Sequence, residues 1–139
     1  EAILVALADG SIDAIATDHA PHAEHDKQVE FERAAFGVTG LETALGLAIT
    51  RLLREKRIAM ARIVDLLSSG PARVMGLKGR GTLARGSVAD VTVFDPVARW
   101  TFSAERSRSK ARNTPFDGWQ LTGKVVATIV GGRVVYRAD

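Results

Sequence analysis

Residues 12–22 of the chain read IDAIATDHAPH, and the first seven of them decide the predicted fold. Up to the final aspartate this segment is almost entirely apolar, through Ile12, Ala14, Ile15 and Ala16. A strand that is apolar on both faces is typical of a parallel sheet covered by helices on both sides. The pattern therefore predicts a short buried strand over residues 12–18 in an α/β fold.

The end of this predicted strand carries side chains suited to chemistry. Asp18 stands at the end, and His19 and His22 follow it across a short turn that contains Pro21. In parallel α/β folds the carboxyl ends of the strands face the active site. A carboxylate there can ligate a metal ion or accept a proton, and an imidazole can ligate a metal or bind an anion. The spacing alone does not establish a site, because an aspartate at a strand end is a common turn residue and surface histidines are common.

Other charged residues near this turn have weaker claims. His25 lies in the polar run AEHDK, and we expect it to be solvated. Lys27 and Arg33 add positive charge, which would favour an anionic substrate. The turn and its surroundings do not contain the helical H-E-x-x-H zinc motif.

Composition and charge narrow the class of protein. The chain has 139 residues, of which 46% are hydrophobic and 25% charged, as in an ordinary globular domain. No apolar run approaches the roughly 18 residues of a membrane span, so no membrane association is expected. The absence of cysteine excludes disulfides and thiolate metal sites and favours a cytoplasmic location. The first residues lack an initiator methionine, so we expect the chain to be part of a longer protein.

The net charge of +3 and the pI of about 9.7 raise the question of nucleic acid binding. The one dense basic stretch is RSRSKAR, residues 106–112, and no aromatic side chain is interleaved with it. Nucleic-acid-binding surfaces combine basic and stacking residues. A solvated basic loop is therefore the favoured interpretation, and no nucleic acid partner is expected.

The part of the chain up to residue 78 has the pattern of helices. EAILVALADG predicts the last turns of a helix that ends at Gly10. Residues 23–38 predict a long loop with a short helix near VEFERA. Residues 41–57 predict a helix whose apolar stripe comprises Leu41, Leu45, Ala48, Ile49 and Leu52. Two further helices are predicted over residues 59–69 and 71–77, separated at Gly70-Pro71.

After Gly79 the pattern changes to that of a small all-β unit. Glycines separate a β-branched run at residues 91–94 from a second short strand, WTF, at residues 100–102. VVATIV and RVVYR flank Gly131-Gly132, which predicts a hairpin with a two-residue turn. The sequence thus predicts two parts, residues 1–78 and 79–139.

Several segments of the chain resemble those of a known enzyme family. ATDHAPH, followed by AFG and GLETAL, resembles the C-terminal part of a dihydroorotase of the bacterial and multifunctional-enzyme type, within the amidohydrolase superfamily. SSGPARVMGLKGRGTLARGSVADVTVFDP is similar to the family's passage from its barrel into a small β-domain, and NTPFDGWQLTGKVVATIVGGRVVY to its closing segment. The last two segments are shared with hydantoinases and allantoinases, so ATDHAPH with its second histidine is the specific signal.

The resemblance implies roles for individual residues. Asp18 corresponds to the aspartate on the last barrel strand, which ligates the metal and acts as general acid and base. His22 corresponds to the histidine that contacts the substrate carboxylate. Phe36 and Gly37 correspond to a loop pair whose backbone touches the edge of the pyrimidine ring. Ala35 departs from the proline that is common in the family, so this loop is expected to be less rigid.

The resemblance also implies a fold and a cofactor. The expected architecture is a C-terminal fragment of a (β/α)8 amidohydrolase barrel, with the last strand and following helices, plus part of a small β-sandwich domain. The implied cofactor is zinc, whose other ligands in the family lie on earlier strands and include an H-x-H pair that this chain lacks. Asp18 is the one metal ligand expected here, and His19 is expected to support the loop by a hydrogen bond.

The implied activity is the zinc-dependent, reversible cyclisation of N-carbamoyl-L-aspartate to L-dihydroorotate in pyrimidine biosynthesis, with this chain inactive alone. One alternative is another cyclic amidohydrolase, acting on hydantoin, dihydropyrimidine or allantoin; His22 argues against it, because those relatives resemble D-H-x-P followed by a different residue. A second alternative is a non-catalytic partner of aspartate carbamoyltransferase. Homo-oligomers, with or without that partner, are expected.

Overall fold

A computed structural model of the chain describes residues 1–55 and 58–138. The helices occupy the first part of the chain and are α1 (Ala2–Asp9), α2 (Glu24–Lys27), α3 (Ala44–Leu47), α4 (Met60–Val64) and α5 (Gly70–Val74). The strands are β1 (Val91–Thr101), β2 (Gln120–Val130) and β3 (Arg133–Arg137). They form an antiparallel sheet in the order β1-β2-β3. None of the described helices is long and apolar enough to cross a bilayer.

The predicted strand at residues 12–18 is wrong, because this segment is irregular in the structure. A strand needs a neighbour to complete its hydrogen bonds, and the described residues give this region one isolated parallel bridge, between His19 and Val38. The segment packs instead on helices. The Ile15 amide donates to the Leu66 carbonyl at 2.9 Å, and Ile12 and Ile15 contact the helical core.

Two of the helices continue as wider π-helical turns. α3 runs on through Ala48–Glu55, and α4 runs on through Asp65–Ser69 into α5. The predicted helix end at Gly70 is therefore wrong. A Cβ at this glycine would lie 2.0 Å from the Asp13 carbonyl oxygen. Gly70 is thus required for the close approach of the helix to the neighbouring segment, and it does not break the helix.

The prediction of a short helix near VEFERA is also displaced. The helix in this loop is α2, immediately after the D-H-A-P-H turn, and residues 31–33 form only a turn. The predicted end of α1 is confirmed, since Gly10 adopts the left-handed conformation with φ 95°.

The helical part has its own hydrophobic core. Its buried members are Leu7, Ala48, Ile58, Ile63 and Leu66. The partly buried side chains that pack against them are Ile12, Ile15, Leu52, Leu53 and Leu67. The stripe predicted on residues 41–57 is confirmed at its centre, where Ala48 and Ile49 are buried. The prediction fails at Leu41, which is 66% exposed because it lies in the turn that precedes α3.

The sheet differs from the prediction mainly in its first strand. β1 joins both predicted short strands into one, with register shifts at Val93/Phe94 and at Asp95/Arg99. The second irregularity accommodates Pro96, as expected for proline in a strand. The Asp95 carboxylate caps this bulge by accepting from the Val97 amide at 2.8 Å.

The predicted β2–β3 hairpin is confirmed. Gly131 and Gly132 both have positive φ, at 55° and 78°, which is the requirement of a two-residue I′ turn. The Gly131 amide also donates to the Asp90 carboxylate at 2.8 Å, so the turn is tied to the residue that precedes β1.

The π-helical turns that continue α3 pack directly on the sheet. The Thr122 amide of β2 donates to the Thr50 hydroxyl at 2.8 Å. Gly123 faces fully buried Ile49 so closely that an added Cβ would lie 2.3 Å from the Ile49 Cδ1. A second core cluster lies at this sheet, formed by Phe102, Ala104 and Leu121 with Leu47, Trp100, Phe116 and Trp119. The division of the chain at residues 78 and 79 stays a prediction.

Candidate functional site

Two loops meet at the position where the sequence predicts a site. The first follows residue 18 and carries the two neighbouring histidines; the second comprises residues 35–40. The His22 Nε2 lies 2.7 Å from the Phe36 carbonyl oxygen. The Ala20 amide donates to the Val38 carbonyl at 3.0 Å. The structure thus brings the predicted substrate-binding residues His22, Phe36 and Gly37 into one cluster.

Glycine at position 37 is explained by this packing. Gly37 has a φ of 102°, a conformation that side chains disfavour. A Cβ at this position would lie 2.5 Å from the Ala20 Cβ and 3.7 Å from the His22 Nε2. The two loops can approach this closely only because position 37 has no side chain.

Asp18 stands at the start of the first loop in an uncommon backbone conformation. Its φ is 43°, and it is the one non-glycine residue with positive φ in the ranges 1–55 and 58–138. Asp18 is exposed, whereas His19 and His22 on either side of the turn are half-buried. Backbone strain of this kind costs on the order of 1–3 kcal/mol and concentrates at functional sites.

His19 holds the second loop, as the sequence predicts. Its Nδ1 accepts from the Gly40 amide at 3.1 Å and lies 3.4 Å from the Leu41 amide. A ring nitrogen that accepts carries no proton, so the neutral ring carries its proton on Nε2. The sequence-based expectation of a supporting hydrogen bond is therefore confirmed.

The charged residues expected to attract a substrate are engaged elsewhere. The Lys27 ammonium donates to the Ala35 carbonyl at 2.6 Å and to the Gly37 carbonyl at 3.2 Å. Arg33 lies 3.7 Å from the Glu30 carboxylate on the surface. Lys27 thus braces the second loop. His25 is exposed, as predicted, with 85% of its side chain accessible.

Sequence reasoning did not identify Asn113, which joins both loops. Its Oδ1 accepts from the His22 amide at 3.1 Å, and its Nδ2 donates to the Ala20 carbonyl at 2.8 Å and to the Gly37 carbonyl at 3.2 Å. Its own carbonyl accepts from the Thr39 amide at 3.0 Å. The only signal in the sequence was its place at the start of NTPFDG, which local patterns do not connect with the loops.

An open groove of about 820 Å³ lies beside the first loop. One wall is the stretch from Pro21 to Gln28, and the other is the basic loop from Ser109 to Asn113. His22 is among the residues that line the groove. The arginines of the basic loop are partly used internally, since Arg112 donates to the Ser109 carbonyl and Arg108 lies 5.3 Å from the centre of the Tyr136 ring.

A zinc site would need more ligands than these residues supply. Catalytic zinc is usually held by three protein ligands, and no group of three or more His, Asp or Glu side chains in residues 1–55 and 58–138 could hold a metal ion. The role of Asp18 as a metal ligand stays a prediction. The described residues do not form a metal centre by themselves.

The chain is similar in sequence to proteins named dihydroorotase. A dihydroorotase of Anaeromyxobacter dehalogenans (strain 2CP-1) is 54% identical over 134 residues, covering 96% of this chain and 30% of that protein. A dihydroorotase of Geobacter sp. (strain M21) is 50% identical over 138 residues, covering 99% of this chain and 32% of that protein. The chain therefore spans less than a third of the length of these relatives.

Solved structures give a compatible result. A D-hydantoinase (dihydropyrimidinase) from Thermus sp. matches with a TM-score of 0.89 and 31% identity, over 98% of this chain and 31% of that one. An L-hydantoinase (dihydropyrimidinase) from Arthrobacter aurescens matches with a TM-score of 0.89 and 33% identity, over 97% of this chain and 31% of that one. A model of the amidohydrolase family matches residues 2–136, so the chain belongs to the amidohydrolase family.

Proposed function

We propose that this chain is the C-terminal part of a dihydroorotase, which interconverts N-carbamoyl-L-aspartate and L-dihydroorotate in pyrimidine biosynthesis. The observation that carries the proposal is the cluster of His22, Phe36 and Gly37, joined at 2.7 Å between the His22 Nε2 and the Phe36 carbonyl. The identity of 54% and 50% to two proteins named dihydroorotase supports the substrate.

In this proposal His22 binds the carboxylate of the substrate. Its Nε2 now lies against the Phe36 carbonyl, a neutral acceptor, and His22 is among the residues that line the open groove. A carboxylate is a stronger acceptor than a carbonyl, because a charged partner about doubles the strength of a hydrogen bond. The substrate carboxylate would therefore displace the Phe36 carbonyl from the imidazole.

Gly37 would contact the ring of the substrate through its amide group. Its carbonyl already accepts from the Lys27 ammonium and from the Asn113 amide, both at 3.2 Å. A carbonyl oxygen has two lone pairs, so these two bonds occupy it. The Phe36 carbonyl, released by His22, would be the acceptor offered to a ring N–H.

Asp18 would act as the general acid and base and as one metal ligand. In hydrolysis its carboxylate accepts a proton from the attacking water, and then returns it to the ring nitrogen as the carbon–nitrogen bond breaks. The reverse sequence closes the ring. Zinc, when bound, supplies Lewis acidity that lowers the pKa of water toward neutrality. The remaining ligands would come from strands outside this chain.

The same proposal extends to architecture and assembly. Residues 1–78 would complete a (β/α)8 barrel, in which the segment 12–18 gains neighbouring strands, and residues 79–139 would belong to a small β-sandwich domain. The TM-score of 0.89 to a hydantoinase over 98% of the chain supports this arrangement. A cytoplasmic location and a homo-oligomer, alone or with aspartate carbamoyltransferase, complete the proposal.

A second candidate is a hydantoinase or dihydropyrimidinase, which the solved structures at 31% and 33% identity favour. The dihydroorotases at 54% and 50% identity favour the first candidate. The two candidates differ chemically in the substrate carboxylate, which dihydroorotate has and dihydrouracil lacks. His22 is the residue of this chain that would read that difference.

The test replaces His22 in the full-length protein and compares two ligands. His22→Ala should raise the KM for dihydroorotate about 10- to 100-fold, since a hydrogen bond to a charged group contributes about 1.5–3 kcal/mol. Inhibition by dihydrouracil, which shares the ring, should change less than threefold. His25→Ala is the matched control and should leave both unchanged. Equal weakening of both ligands by His22→Ala would contradict a carboxylate-binding role.

A further inference from the structure

We propose that Asn113 is a positioning residue, whose side-chain amide sets the distance between the two substrate-binding loops. This inference rests on the proposed function, because it takes His22, Phe36 and Gly37 as the groups that contact substrate. Asn113 itself bonds to backbone atoms of the loops and would act on the substrate through them.

The side-chain amide of Asn113 forms a clamp, in which it bonds to backbone groups of both loops. One side chain accepts from the His22 amide at 3.1 Å and donates to the Ala20 carbonyl at 2.8 Å and to the Gly37 carbonyl at 3.2 Å. The three partners lie 91, 93 and 76 positions away in the sequence. Asn113 therefore bonds to both loops at once, and it fixes the distance between them from a third segment of the chain.

The hydrogen-bonding groups of asparagine match what the clamp requires. The clamp needs one acceptor and two donors on a short side chain, which asparagine supplies. Aspartate keeps the shape but has no donor and would face two carbonyl oxygens. Glutamine has the same groups on a side chain one methylene longer, so it cannot reach the same positions without moving a loop.

Contacts on both sides of Asn113 anchor the segment that carries it. The Glu42 carboxylate holds the preceding loop, accepting from the Arg108 amide at 2.9 Å and from the Ser107 hydroxyl. On the other side Phe116 packs edge-on against Trp119, with 5.2 Å between ring centres, beside the core cluster of the sheet. The segment that carries Asn113 is thus attached to the turn before α3 and to the β-sheet. It therefore does not move freely with the two loops.

The clamp predicts a specific kinetic signature in the full-length protein. Asn113→Asp should raise the KM for dihydroorotate about tenfold or more while kcat changes less than threefold. In a His22→Ala background the same substitution should raise KM less than threefold, because the positioned ring is already absent. Lys78→Ala, which changes an exposed lysine that does not line the groove, should leave KM unchanged.

A second measurement does not depend on the substrate. Amide hydrogen exchange in Asn113→Asp should accelerate in residues 19–23 and 35–40 and stay unchanged in α4 and α5. Unchanged exchange in the loops would overturn the clamp whatever the enzyme acts on. Accelerated exchange without dihydroorotate turnover by the wild type would overturn the proposed function and leave the clamp supported. Additive KM effects in the double variant, or an equal KM rise in Lys78→Ala, would overturn positioning through His22.

Discussion

Single side chains hold the site loops by bonding to backbone groups. His19, Lys27 and Asn113 together accept from or donate to backbone atoms of residues 20–41. The role of His19 could be predicted, because it lies within the motif that it supports. The roles of Lys27 and Asn113 could not, because their partners depend on how distant segments fold. Asp18 and His22 were candidates from the residue pattern, whereas Phe36 and Gly37 were named from the resemblance alone. The structure brings His22, Phe36 and Gly37 together.

The bond from His19 can be tested by substitutions that imitate each ring nitrogen separately. Asparagine places an acceptor near the position of Nδ1, whereas glutamine imitates Nε2. Because Nδ1 accepts from the Gly40 amide at 3.1 Å, His19→Asn should keep kcat/KM within about threefold of the wild type. His19→Ala should lose about tenfold or more, since an unpaired amide costs about 1–3 kcal/mol. Steady-state kinetics would measure all three variants, and retained activity in His19→Gln but not in His19→Asn would contradict the supporting role.

Among the elements, most of the helices and the hairpin were predictable, whereas the helix near VEFERA, the helix end at Gly70 and the strand at residues 12–18 were predicted wrongly. Gly10 and the Gly131-Gly132 turn follow local rules, because positive φ decides both. Gly70 before a proline has the same local appearance as a helix end. Its actual role, contact with the Asp13 carbonyl, is a tertiary effect that local sequence does not encode. The segment 12–18 has the composition of a buried strand, but a strand forms only beside another strand.

An ionic cluster connects the helices and makes stability depend on pH. Asp65 accepts from Arg73 at 2.8 Å, from Ser69 at 2.8 Å and from Arg62 at 2.5 Å. Arg62 also donates to the Leu7 carbonyl at the end of α1, at 2.8 Å. The hydrogen bond from Arg73, followed by that from Ser69, holds the pKa of Asp65 well below its usual value of 3.8.

A lowered pKa stabilises the folded state above the unfolded value and loses that effect as pH falls through the folded value. Asp65→Asn should therefore lower the Tm of the protein at pH 7, and the difference from the wild type should shrink as pH falls below about 4. Thermal unfolding followed by circular dichroism from pH 3 to 8 would measure this. Glu32→Gln, an exposed carboxylate, is the control and should leave Tm unchanged. A pH-independent Tm difference would contradict the ionic explanation.

The contact between the helix and the sheet gives a second prediction at this scale. Gly123→Ala places a methyl group only 2.3 Å from the Ile49 Cδ1. The φ of residue 123 is 91°, a conformation that disfavours any side chain. Overpacking costs about 1–3 kcal/mol and the left-handed backbone about 1–2 kcal/mol more. Gly118→Ala is the matched control, because Gly118 has a φ of 75° and no atom within 4 Å of the added Cβ.

Urea unfolding would compare the two glycine variants. The control should lose only the backbone contribution of about 1–2 kcal/mol, and Gly123→Ala should lose clearly more. Equal losses in both variants would show that the packing of Ile49 on the sheet does not limit stability.

For the molecule as a whole, the sequence predicted an α-helical first part and a β-rich second part, and the structure has both. It did not predict how closely they join, where Ile49 and Thr50 pack against β2. Such contacts depend on which surfaces meet, and local patterns do not specify that. The chain spans 30% of a dihydroorotase to which it is 54% identical, and we expect the purified chain alone to show no dihydroorotase activity.

The most direct test of the proposed function is a rate measurement on the full-length protein. Rates would be measured for dihydroorotate, carbamoyl aspartate, hydantoin and dihydrouracil under the same conditions, for the wild type and Asp18→Asn. We predict interconversion of dihydroorotate and carbamoyl aspartate in both directions, with hydantoin and dihydrouracil turned over far more slowly. Asp18→Asn should lower kcat about 10²- to 10⁴-fold, the usual contribution of a general acid and base. Preferred turnover of hydantoin or dihydrouracil, or an unchanged kcat in Asp18→Asn, would contradict the proposal.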